Sequence, residues 1–104
     1  MEIQIPTALL DGVVLMLVSR EDMYGYALTQ TVQRNFPISE STLYPVLRRL
    51  KKDGDLETHD EPFEGRMRRY YRITEVGKLQ LQKISADWEI FKSVIDECLG
   101  GSNL

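Results

Sequence analysis

The stretch GRMRRYYRIT, Gly65 to Thr74, decides the fold. Read in twos, Met67, Arg69, Tyr71 and Ile73 share one face, and Arg68, Tyr70, Arg72 and Thr74 share the other. The residues are strand formers, so this is a strand with arginines on both faces. Before it, Leu56 to Asp60 reads as a short strand and Glu61-Pro62-Phe63-Glu64-Gly65 as a loop. The unit is a β-hairpin. Arg66, Arg68, Arg69 and Arg72 crowd into seven positions of a chain of 104 residues whose net charge is −3. Such local charge in an acidic chain calls for an explanation.

Moving outward, the period changes to that of helices. Ile5 to Val18 is apolar nearly all round and reads as a buried helix, with Pro6 suited to its first turn. Ser19 to Met23 is a polar break. Asp22 is placed to cap a second helix from about Tyr24 to Asn35, with Leu28, Val32 and Phe36 as its apolar stripe. Pro37 ends it. Ser39 then caps a third helix, with Ile38 and Leu43 placed as a hydrophobic staple. Leu43, Val46, Leu47 and Leu50 recur at i, i+3, i+4, i+7, and Gly54 is the stop. Pro45 removes one backbone donor and predicts a loosened second turn.

Thr74 caps a long last helix running to Leu99, with Gly100-Gly101 as terminator and Gly77 as a mild weakness in the first turn. Leu81, Ile84, Trp88, Phe91, Ile95 and Cys98 are spaced 3, 4, 3, 4, 3, a heptad seam for a partner helix.

Composition excludes several functions. The single cysteine, Cys98, forbids an internal disulfide and a multi-cysteine metal cage. No cofactor or metal motif is present. His59 stands beside Asp60 and Glu61, but adjacent strand residues point to opposite faces and make no catalytic dyad. An enzyme is not expected. The longest apolar run is too short to span a bilayer, the N-terminus does not read as a signal peptide, and a cytoplasmic location follows.

The charge is uneven. Ser39 to Lys83 holds ten basic and eight acidic residues, whereas the remainder holds three and eight. Three helices, a hairpin and a further helix give a mainly α winged helix-turn-helix with a long C-terminal helix. Residues 1–74 form the DNA-binding domain, and 75–104 form the dimerisation helix with a short tail. The third helix buries its leucines and offers Ser39, Ser41, Thr42, Tyr44, Arg48, Arg49 and Lys52 to double-stranded DNA. Hydroxyls near a helix start reach phosphates and base edges, and arginine reaches phosphate or guanine. Arg66 and Arg68 near the hairpin tip neutralise backbone phosphates. The acidic residues elsewhere discourage non-specific binding.

Blander readings exist for each part. A charged edge strand resists aggregation, and a basic helix end answers the helix dipole. It is the joint placement of both clusters that favours DNA. The alternative is a winged-helix module for protein contact. That would show apolar residues on the outer side of the third helix, where Ser41, Thr42, Arg48 and Arg49 stand instead.

Three segments together are family-specific. Met23-Tyr24-Gly25-Tyr26, Ile38 through Leu50 (ISESTLYPVLRRL) and Arg69 through Gly77 (RYYRITEVG) resemble the PadR family of bacterial transcriptional regulators. The match runs from about Ile5 to Leu99, and it is to the small subfamily with one C-terminal helix. The resemblance implies a homodimeric repressor at an inverted-repeat operator. Leu81, Ile84, Trp88, Phe91 and Ile95 then form the interface. Some small members sandwich flat aromatic drugs with a tryptophan of the last helix, and Trp88 stands at the matching place. It has two roles open to it, binding a small hydrophobic or aromatic effector or packing the dimer core. Lys92 departs from the multidrug-type pattern, because an acidic residue there would suit cationic drugs.

Overall fold

The computed structural model describes residues 2–100. Its elements are α1 (Thr7–Arg20), β1 (Met23–Tyr24), α2 (Gly25–Asn35), α3 (Glu40–Lys52), β2 (Leu56–Phe63), β3 (Arg66–Ile73) and α4 (Glu75–Leu99). The result is a winged helix-turn-helix followed by a long helix. The core is one cluster in which Leu10, Val14, Leu15 and Val18 of α1 meet Leu28 and Val32 of α2. Leu43, Val46, Leu47 and Leu50 of α3, Leu56 of β2 and Ile84 of α4 complete it.

Local chemistry sets most boundaries. Pro6 serves as the N-cap of α1 rather than its first turn. Its carbonyl accepts the Leu9 and Leu10 amides, both at 3.0 Å. Ser39 caps α3 by accepting the Thr42 amide at 3.2 Å. At the other end Gly54 takes φ +84°. The Gly54 amide donates to the Lys51 carbonyl and the Asp55 amide to the Leu50 carbonyl, the paired bonds of a Schellman stop. α3 runs unbroken through Pro45. The expected change there is confined to the Ser41 carbonyl, to which Pro45 has no N–H to give.

One expectation fails at the start of α2. Asp22 does not cap it. The N-cap is Tyr24, which makes no side-chain capping bond. Asp22 instead reaches the hairpin, and the two residues after it form β1. This strand pairs antiparallel with β3 through Met23↔Tyr71 and Tyr24↔Tyr70. The hairpin is therefore the larger part of a three-stranded sheet of order β1-β3-β2. A two-residue strand leaves no period in the sequence, which is why it was invisible there.

The expected five-residue loop is also shorter. β2 continues through Pro62 to Phe63, and Phe63↔Arg66 closes the hairpin around Glu64-Gly65 alone. Both turn residues have positive φ, 50° and 79°, as a type I′ turn requires. β2 is an edge strand, the place in a sheet where a residue without an N–H is tolerated.

Thr74 caps α4, accepting the Gly77 amide at 3.0 Å. Gly77 is no weakness. A Cβ there would lie 2.1 Å from the Asp55 carbonyl oxygen and 2.8 Å from an Ile73 side-chain carbon. The first turn of α4 meets the backbone leaving α3 only because residue 77 has no side chain. Gly100 is the C-cap, and Gly101 of the expected terminator lies outside the described residues. No helix among the described residues is long and apolar enough to cross a membrane.

Replacing Gly77 by Ala tests this contact. Overpacking against backbone predicts a loss of about 1–3 kcal/mol in urea denaturation. Helix propensity alone predicts a gain, so the sign of the change decides between them.

Candidate nucleic-acid interface

The outer side of α3 is ordered by its own period. Opposite the buried Leu43, Val46, Leu47 and Leu50 lie Ser41, Pro45, Arg48 and Lys52, spaced 4, 3 and 4, and all are exposed. Thr42 and Arg49 occupy one flank of this stripe, and Tyr44 the other. At the helix start the Ser39 hydroxyl lies 2.9 Å from that of Ser41 and 3.1 Å from that of Thr42. Ser39 thus spends its oxygen on the cap, while Ser41 and Thr42 remain exposed.

The two arginines of α3 differ. Arg49 donates to the Asp11 carboxylate of α1 at 2.5 Å and lies 4.0 Å from Asp53. Its hydrogen bond to Asp11 holds the guanidinium pKa above the ordinary value, against a smaller effect of burial. Asp55 nearby is pushed up, first by burial and then by Asp53 and Asp11. Arg49 is the cation that three aspartates share, and it ties α3 to α1. Arg48, one residue earlier, is exposed and carries no ion pair among the described residues.

The wing arginines divide the same way. Arg69 faces Asp60 across the strand pair, 3.5 Å away. Arg72 meets Asp22 at 2.9 Å. Arg66 and Arg68 have no carboxylate partner among the described residues. Arg66 is exposed beside the turn, and Arg68 is half-buried between aromatic rings.

Asp22 is a residue whose role the sequence did not reveal. His59 of β2 lies 2.9 Å from the same carboxylate oxygen that Arg72 binds. Partial burial would raise the Asp22 pKa, but the hydrogen bonds from Arg72 and His59 outweigh it and hold it below the ordinary value. His59 also stacks on Tyr70, with centroids 5.6 Å apart. The connection between α1 and β1 is thereby clasped to both strands of the wing.

Between wing and helices lies an open cleft of about 720 Å³, bordered by Tyr24 and Tyr26, by Tyr44 of α3, and by Arg66, Arg68 and Arg69. Tyr71 lines it as well. Burial raises the Tyr71 pKa above the ordinary tyrosine value.

α4 places the heptad residues unevenly. Ile84 is buried within its own chain, close against Gly12 of α1, and Leu81 packs partly on the same core. Trp88, Phe91 and Ile95 remain exposed, at 38%, 50% and 38%. With Leu9, Val13 and Met16 of α1 they border an apolar groove of about 840 Å³. Lys92 at its rim pairs with Glu89 at 3.4 Å.

This arrangement has counterparts. The transcriptional regulator PadR-like family matches residues 14–83. The chain belongs to that family. The transcriptional regulator Rv3488 of Mycobacterium tuberculosis is 36% identical over 83 residues, covering 79% of this chain and 75% of that protein. A crystal structure of a Streptococcus mutans protein superposes with a TM-score of 0.92 at 36% identity, covering 100% of this chain and 98% of the other. A PadR-like transcriptional regulator from Bacillus cereus does so with a TM-score of 0.79 at 30% identity, covering 88% and 91%. The PadR chain is accordingly a transcriptional regulator, not an enzyme.

The Arg49 pair has a measurable consequence in this PadR protein. Arg49→Ala strands the buried Asp11 carboxylate and should cost about 1–3 kcal/mol in thermal or urea unfolding. Adding Asp11→Asn should recover most of it. Equal losses that simply add would mean that the two side chains do not interact.

Proposed function

We propose that this PadR chain is a homodimeric, sequence-specific DNA-binding repressor acting at an inverted-repeat operator. One observation carries the reading. The outward stripe of α3 and the wing tip present Arg48, Arg66 and Arg68 without carboxylate partners among the described residues, whereas Arg49, Arg69 and Arg72 are each matched to an aspartate. Ser41 and Thr42 contact phosphate or base edges from the start of α3, with Arg48 and Lys52 about two and three turns further on. Ser39 and Arg49 act from behind, by capping α3 and fixing it to α1. Tyr44 lines the cleft between helix and wing.

Residues 1–74 do the DNA-binding work, and residues 75–104 do the dimerisation. Positions 101–104 of that tail lie outside the described residues. Trp88, Phe91 and Ile95 meet their counterparts in a second copy, with Leu81 at the edge and Ile84 anchoring the helix to its own core. An apolar groove with Trp88 and Phe91 side by side, centroids 6.3 Å apart, also suits a flat hydrophobic effector whose binding releases the operator. Such a regulator works in the cytoplasm. The rival reading, a protein-contact module, is disfavoured by the polar outer stripe of α3.

Fluorescence anisotropy on the duplex upstream of its own gene, against a scrambled duplex across a salt series, tests the DNA reading. Preference for the first is expected, with affinity falling steeply in salt. Arg48→Ala and Arg66→Ala should each weaken binding and flatten the slope by about 1 where a phosphate contact is lost. Binding to neither duplex at low salt would sink the reading.

The dimer is tested separately. Phe91→Asp with Ile95→Asp should leave the helical circular dichroism in place and give monomers by light scattering. An intact dimer would remove α4 from the interface.

A further inference from the structure

The wing carries an aromatic-flanked arginine that simple charge counting does not explain. Arg68 Cζ lies 3.4 Å from the centroid of Phe63 and 4.2 Å from that of Tyr24. Phe63 belongs to β2 and Tyr24 to β1, on opposite sides of the central strand β3 that carries Arg68. The two rings therefore approach the guanidinium from opposite neighbours. Tyr24 is itself braced, with Tyr70 and Tyr26 at centroid distances of 6.0 and 6.1 Å. Tyr70 in turn stacks on His59, which is held by Asp22.

The edge of the same guanidinium is open. Arg68 makes no hydrogen bond or ion pair among the described residues, in contrast to Arg69 and Arg72. No buried side-chain nitrogen or oxygen among those residues lacks a partner. The nitrogens of Arg68, being without partners, must therefore reach solvent. Phe63, next to the hairpin turn, is 40% exposed, so its ring and the guanidinium on it both lie at the surface.

We propose that Phe63, Arg68 and Tyr24 form a preformed phosphate fork on the wing, in which the rings fix the plane of the guanidinium and its open edge grips one phosphate of the DNA backbone. This rests on the DNA-binding reading above. A planar guanidinium stacks on ring faces and still offers paired donors at its edge. An ammonium group offers a point charge without that fork. The side chain is ordered before DNA arrives, so little rotamer entropy remains to be lost on binding. Arg66, exposed beside the turn and making no cation–ring contact among the described residues, serves as an ordinary mobile charge.

The test compares Arg68→Lys, Arg68→Met and Phe63→Leu with the unmodified full chain and with Arg66→Lys. Affinity for the upstream duplex is read over a salt series, with thermal melting in parallel. Arg68→Lys should lose about tenfold in affinity at an unchanged salt slope, because the charge stays and the fork is lost. Arg68→Met should weaken binding and lower the slope by about 1. Phe63→Leu should weaken binding with Arg68 still in place, and Arg66→Lys should bind as the unmodified chain does. Arg68→Lys binding like the unmodified chain would overturn the fork and leave charge alone. An unchanged slope in Arg68→Met would also overturn it, making Arg68 a strut of the wing without phosphate contact. Unchanged affinity in Phe63→Leu would remove the ring from the device. If the unmodified chain binds no duplex, the DNA-binding reading fails and the fork with it. In every other case the two are judged apart.

Discussion

Everything distal to α3 depends on one close approach, between the Asp55 carbonyl and the first turn of α4. The Thr74 amide donates to that carbonyl at 3.1 Å, and the Thr74 hydroxyl donates to the Gly54 carbonyl at 2.6 Å. The hydroxyl oxygen then accepts the Gly77 amide. A few atoms thus join the end of α3, the base of the hairpin and the start of α4. The absence of a side chain at Gly77 lets the backbones come together. The node fixes both where the wing sits relative to α3 and the angle at which α4 leaves it. The geometry of the candidate interface and that of the apolar seam therefore share one anchor point, built largely from backbone.

The second constraint is the allocation of carboxylates. An acidic chain can present a basic face only if its acids are placed where they neutralise the cations that build the fold. Asp11 takes Arg49, Asp60 takes Arg69, and Asp22 takes Arg72. Each of these pairs joins two elements: α1 to α3, β2 to β3, and the α1–β1 connection to β3. Exposed ion pairs are worth little individually. Their larger effect here is selection. By occupying three arginines they leave Arg48, Arg66 and Arg68 as the arginines of α3 and the hairpin without a carboxylate partner among the described residues. The crowding of arginines in GRMRRYYRIT is thus two overlapping sets, one structural and one available for an anion.

How much of this was legible depended on the range of the signal. Caps and periodicities are local, and Ser39, Gly54, Thr74 and the leucine stripe of α3 were read from neighbours within a turn. The winged fold followed from the order of such elements. What escaped was set by contacts across the chain. Asp22 looked like an N-cap because its local context suits one, but its partners are 37 and 50 residues away. β1 has two residues and exists only because β3 offers it an edge. Gly77 has the local signature of a helix defect, and only the Asp55 carbonyl beside it in space gives its actual role. Arg48 and Arg49 are alike as neighbours in sequence, and only the position of Asp11 separates them. On α4 the heptad period was plain, but a period cannot tell which turns are taken up by the chain's own core, as Ile84 is.

α1 links these features. Asp11 and Gly12 are consecutive, and they serve opposite neighbours. Asp11 binds Arg49 of α3, while Gly12 receives Ile84 of α4, whose side-chain methyl would lie 2.7 Å from any Cβ there. One turn of α1 is therefore in fixed register with the helix that presents Ser41 and Arg48 and with the helix that presents Trp88 and Phe91. Close-packed contacts of this kind deform little, because the interior is dense and each displaced atom meets another. The buried Ile84, rather than the exposed part of the heptad, fixes where α4 sits on α1.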